Sequence, residues 1–137
     1  MNTLQTLIRL AKREVDDLTR VLADLETQRA AALARVVALD ETVAAEQALA
    51  ARHALAGAAY GGYARAVMDD RRALQGDVSR CEQEAAHVRA LLEAAYVELK
   101  KVETLADWRA ERRMIETNKR DAAALDETAI IRAARGV

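Results

Sequence analysis

The sequence predicts an all-α fold, a long two-helix antiparallel coiled-coil hairpin with a longer second helix. Three observations predict it. Among 137 residues there is no proline, and three of the five glycines fall between positions 57 and 62. Two long heptad arrays flank that cluster. The composition is rich in Ala, Glu, Leu, Lys and Arg, as expected of a chain that is nearly all helix.

Helix one is predicted over residues 3–57. Steps of four and three from Leu4 give Leu4, Ile8, Ala11, Val15, Leu18, Leu22, Leu25, Arg29, Ala32, Val36, Leu39, Val43, Glu46 and Ala50. Only Arg29 and Glu46 break the apolar line, and such sustained spacing is the signature of knobs-into-holes packing. Asn2 or Thr3 supplies the start cap. Leu7, Val21, Leu33, Val37 and Leu49 lie off this line and either widen the stripe or form docking patches.

The pattern dissolves through Gly57-Ala-Ala-Tyr60-Gly61-Gly62-Tyr63, so the turn is predicted at residues 58–62, where glycine can supply positive backbone angles. Tyr60 and Tyr63 near it either pack over the turn or offer contact surface to a partner.

Helix two is predicted over residues 63–133. Its seam is Val67, Arg71, Leu74, Val78, Cys81, Ala85, Val88, Leu92, Ala95, Leu99 and Val102, followed by Leu105, Trp108 and Ile115 out of strict phase. Folding about residue 60 sets Leu4 opposite residue 117 or so. The paired rod is then ~80 Å long, with residues 119–137 overhanging by ~25 Å. The whole chain reads as one domain. Two open chains pairing antiparallel would satisfy the same seams.

The charges exclude several function classes. With 21 basic and 22 acidic residues the net charge is -1, so nothing draws the chain to nucleic acid. A lone cysteine, Cys81, makes a reducing compartment the default, and no apolar run approaches a membrane span. Leu4 to Arg13 could form a small basic amphipathic anchor, but its apolar residues begin the heptads. The expected location is therefore cytoplasmic.

Catalytic constellations are not assembled either. Two histidines, one cysteine and Ser79 give no nucleophile–base pair of any specificity. Cys81 sits on the seam as a small hydrophobe. The one Glu-x-x-His, Glu84 to His87, lacks the further carboxylates of a di-iron bundle. Gly61-Gly62 is not followed by the Lys and Ser or Thr of a phosphate loop. No enzyme, cofactor, metal site or small-molecule substrate is expected.

Several segments in order resemble one family. They are Leu4-Gln-Thr-Leu7-Ile-Arg-Leu10-Ala-Lys-Arg-Glu14-Val15, Tyr63-Ala-Arg-Ala-Val67, Glu98-Leu-Lys100-Lys101-Val-Glu103 and Leu125-Asp126-Glu127-Thr-Ala129 with Arg132. Together they resemble FliJ, the coiled-coil protein of the flagellar type III export apparatus, and span nearly the whole chain.

The resemblance implies a stalk, similar to the central shaft of rotary ATP synthases, that sits in the pore of a hexameric export ATPase. Such a stalk promotes ATPase assembly and activity, links it to the membrane export gate and assists export chaperones, as a peripheral component at the inner membrane. Carried onto this chain, it implies ATPase contacts at Arg9, Arg13, Arg109, Arg113, Arg120, Asp126 and Glu127. Export-gate contacts are implied at Tyr63, Val67, Arg71 and Leu74, although helix two has fewer aromatics than divergent relatives. Alternatives are the related stalk of a virulence injectisome and a scaffolding coiled coil with no ATPase partner.

Overall fold

The computed structural model describes residues 2–136, with side chains throughout except at 54–56, 58 and 59. Two helices make up the described chain, α1 (Thr3–Arg52) and the longer α2 (Ala54–Ala134). Asn2 is the start cap: the backbone N–H of Gln5 donates to Asn2 Oδ1 at 2.8 Å, satisfying one of the donors a helix N-terminus leaves open. At the other end Gly136 takes a positive φ of 71° and its N–H donates to the Ala133 carbonyl at 3.2 Å. A left-handed glycine is the usual way to stop a helix.

The chain forms two compact units. The first joins residues 15–52 of α1 to residues 54–94 of α2. There the helices run antiparallel, since Glu26, Arg29 and Asp40 of α1 meet Arg89, Glu82 and Arg71 of α2 in that order, and Leu25 packs in one cluster with Ala85 and Val88, with Leu18 and Leu22 against it. Among the described residues Cys81 is the most enclosed side chain, 1% exposed, and its thiol faces Gln28 Oε1 at 4.0 Å. It serves the seam as a small apolar residue.

Three ion pairs fix the register in this unit. Arg29 Nε meets Glu82 Oε1 at 2.8 Å, Arg71 Nε meets Asp40 Oδ1 at 2.9 Å, and Arg89 meets Glu26 Oε1 at 3.4 Å. Arg29, the polar break in the seam of α1, is thereby satisfied across the helix pair. All three pairs are about half-exposed, so each contributes only a few tenths of a kcal/mol. Their value is positional.

The register corrects the predicted turn. Each cross-helix pair is centred on residues 55 to 58, and the break between helices falls at His53. Gly61 and Gly62 lie inside α2, with no positive φ. A Cβ added at either would meet nothing within 4 Å. Gly57 is different, since its Cβ would stand 3.3 Å from the Ala50 carbonyl oxygen. The missing side chain matters there, where the backbone leaving α1 comes close to the backbone entering α2. Helical hydrogen bonds bracket the break, from His53 N–H to the Leu49 carbonyl and from Gly57 N–H to the His53 carbonyl.

The second unit joins the start of α1, up to Glu14, to α2 from Ala95 onward. Leu4 is 4% exposed, and Ile8 and Ala11 are half-buried. Opposite them Ala95 is buried, and Leu99, Val102 and Ala106 are half-buried. From Asp107 to Gly136 every residue is exposed. The unpaired part of α2 thus begins about twelve residues before the predicted overhang, as the shifted reversal requires. Leu105, Trp108 and Ile115, expected on the seam, are exposed instead, at 39%, 66% and 48%.

Candidate partner-binding surfaces

Two surfaces emerge from the way the seams are used. One lies in the unit built from residues 1–14 and 95–137. Continuing the α2 heptad past Val102 gives Ala106, Arg109, Arg113, Glu116, Arg120, Ala123 and Glu127. The apolar line therefore turns charged as the start of α1 is reached. A helix face of Arg and Glu cannot bury itself against another helix without heavy desolvation. Such a face suits solvent or a polar partner rather than a helix seam.

All seven residues implied for the ATPase fall in this unit. Arg109, Arg113, Arg120 and Glu127 share the charged continuation of the seam, Asp126 is beside it, and all five are exposed. Arg9 and Arg13 lie one turn apart on α1 and are exposed, with Arg9 engaged in an interaction of its own. The structure thus brings the set into one unit, although they span several faces of two helices.

The other surface is in the unit of residues 15–94, on the early part of α2. Tyr63, Val67, Arg71 and Leu74 come at seam spacing, and they are occupied accordingly. Val67 is 7% exposed and belongs to the core. Arg71 grips Asp40 through two nitrogens, at 2.9 and 3.4 Å. That hydrogen bond, and then the Asp40 charge, hold the guanidinium above its ordinary pKa. Leu74 is half-buried and lines a shallow groove of about 500 Å³ with Leu39, Thr42 and Asp70.

Tyr63 is half-buried, its ring 6.1 Å from that of Tyr60 and tilted at 44°. Its hydroxyl is enclosed without a hydrogen-bond partner. Desolvation, followed by the charge of Glu46 and by Tyr60, pushes its pKa up. An enclosed, unpaired hydroxyl costs stability unless another group satisfies it. Of the four residues implied for the gate, Tyr63 and Leu74 keep surface that a partner can reach. Val67 and Arg71 hold α2 against α1.

Sequence reasoning missed the outer face of α2 around Trp108. Trp108 lines two shallow grooves there, one with Val97, Lys101 and Leu105, the other with Arg112 and Ile115. The signal was present as the phase change after Val102, where the apolar residue falls at 105 instead of 106. That change of phase marks the apolar residues moving to another side of the helix.

Among the described residues no three His, Cys, Asp or Glu side chains lie close enough to share a metal ion. No helix among them is long and apolar enough to cross a membrane.

Comparison with known proteins gives a single family. The family model described as "Flagellar FliJ protein" matches residues 1–137. Two relatives, each named "Flagellar FliJ protein", come from Caulobacter vibrioides strains NA1000 / CB15N and CB 15. Each is 34% identical over 131 residues, which covers 96% of this chain and 94% of the relative. No solved structure matches the chain.

Proposed function

The chain belongs to the flagellar FliJ protein family, and from that premise we propose that it is a non-enzymatic stalk of the flagellar type III export apparatus. In this proposal its terminal unit binds within the pore of the hexameric export ATPase and stimulates it. The early part of α2 contacts the export gate, and the protein also assists export chaperones. It works in the cytoplasm, peripherally associated with the inner membrane. Both relatives are flagellar by name, which favours the flagellar system over the injectisome.

One observation carries the proposal. From Asp107 to Ala134, α2 is exposed on every side, and its former seam carries Arg109, Arg113, Glu116, Arg120 and Glu127. A single helix exposed all round suits a partner that surrounds it. Charged heptad positions suit polar contacts with that partner, which set orientation and association rate more than raw affinity. Arg9 and Arg13 add basic groups in the same unit. For the gate, Tyr63 and Leu74 are the proposed contacts, with Val67 and Arg71 supporting the stretch from within.

Charge reversal tests the ATPase contact. Arg109→Glu, Arg113→Glu and Arg120→Glu together should weaken binding to the cognate ATPase hexamer at least tenfold, that is by about 1.4 kcal/mol or more. The salt dependence of binding should shrink with it, and the circular dichroism should stay unchanged because all three side chains are exposed. Equal affinity of the triple variant would remove these residues from the interface.

A further inference from the structure

The outer face of α2 around Trp108 has a use that the charged seam does not explain. Val97, Lys101, Thr104, Trp108, Ile115 and Lys119 recur at steps of three, four or seven, so they form one stripe. At ~100° per residue, this stripe lies nearly opposite Leu99, Val102 and Ala106, which face α1. It carries the only tryptophan of the chain, 66% exposed, together with Val97 at 52% and Ile115 at 48%. The groove beside Trp108 has a volume of about 390 Å³. Exposed Trp next to aliphatic side chains in a shallow groove is the composition of an interface centre.

The charges around the stripe select its occupant. The charged groups that line the groove with Val97, Leu105 and Trp108 are Lys100 and Lys101, whereas the groove on the other side of Trp108 holds Glu111 and Glu116 as well as Arg112 and Lys119. Lys101 reaches only Glu98, at 3.1 Å, and both side chains are about two-thirds exposed, so that pair is weak. A second copy of this chain seated on this groove would bring the same two lysines against each other. An anionic membrane wants a cluster of basic residues, whereas residues 97–119 hold six basic and five acidic side chains.

We infer that this face docks an acidic amphipathic helix of a partner protein. The apolar residues of that helix pack on Val97, Leu105 and Trp108, and its carboxylates meet Lys100 and Lys101. The inference does not depend on the ATPase assignment, because the groove at residues 97–108 lies almost wholly before the stretch from Asp107 to Ala134 proposed to enter the ATPase.

Trp108, as the sole tryptophan, reports its own burial by fluorescence. The probe is a synthetic helical peptide with leucines at three- and four-residue steps flanked by glutamates. Its control carries lysines in place of the glutamates. The full chain should give a saturable blue shift with the acidic peptide, and the lysine peptide should bind at least tenfold more weakly. The double variant Lys100→Glu, Lys101→Glu, whose exposed side chains leave the fold intact, should lose at least tenfold in affinity for the acidic peptide. Labelled-peptide anisotropy should give a similar loss for Trp108→Ala.

Equal binding of the two peptides, or no binding of the acidic one, would overturn the inference. A blue shift produced by protein concentration alone would assign the face to a second copy, and one produced only by phosphatidylserine vesicles would assign it to a membrane. Either result would overturn it as well.

Discussion

Deleting residues 119–137 should abolish stimulation of the cognate export ATPase while leaving the melting midpoint of the remaining protein unchanged. The two halves of this expectation come from one fact. Every described residue beyond Asn118 is exposed, so the deletion removes no core atom and neither unit loses a buried contact. The hydrophobic stabilisation of a helix pair resides in its seam, and that seam ends at Ala106. The deletion does remove Lys119, Arg120, Asp126 and Glu127 from the lone stretch of α2. ATP turnover and a thermal melt on the same preparation separate the effects. Normal stimulation by the shortened chain would mean that the ATPase is engaged elsewhere, while a lower melting midpoint would mean that the segment packs on the protein.

The second large effect concerns the glycines that resemble a turn. Gly61→Ala and Gly62→Ala together should stabilise the protein by roughly 1–2 kcal/mol, since each glycine in a helix interior costs about 0.5–1 kcal/mol relative to alanine. Both sit within α2 with open space where a Cβ would go. Had the reversal used positive φ at these positions, the same substitutions would destabilise instead. Chemical denaturation of the double variant therefore reads the position of the reversal from the sign of the change. Gly57→Ala should not share the gain, because its Cβ would press on the Ala50 carbonyl at 3.3 Å.

Legibility followed the physics of each feature. Every buried or half-buried residue of α1 falls on the heptad line drawn from Leu4 through Ala50. The seam positions of α2 from Val67 through Val102 are likewise all buried or half-buried. Burial in a helix pair depends only on spacing and apolarity, and both can be read from one sequence. The reversal depends on a backbone path through Ala51-Arg-His53-Ala-Leu-Ala-Gly57, and most of those residues favour helix. Gly61-Gly62 is the stronger turn signal, yet α2 absorbs both glycines at a modest cost.

That displacement of a few residues propagates along the register. It moves the partner of Leu4 about six to ten residues toward the middle of the chain, and it lengthens the lone stretch of α2. The candidate sites inherited the same logic. Arg109, Arg113 and Arg120, implied by the resemblance for the ATPase, stand exposed where the heptad line of α2 turns charged. Val67 and Arg71, implied by the resemblance for the export gate, stand on the seam, and seam residues serve the partner helix first. The Trp108 face was hidden because a change of phase and a change of side look alike until the start of α1 is located.

The central claim is that this chain binds and activates a hexameric ATPase through its terminal unit. The most direct measurement mixes the full-length protein with its cognate flagellar export ATPase at low salt and follows hexamer formation by sedimentation alongside ATP turnover. The account predicts a complex that sediments with the hexamer and a turnover rate that rises with added protein until it saturates. No complex and no rise in turnover at low salt would contradict it.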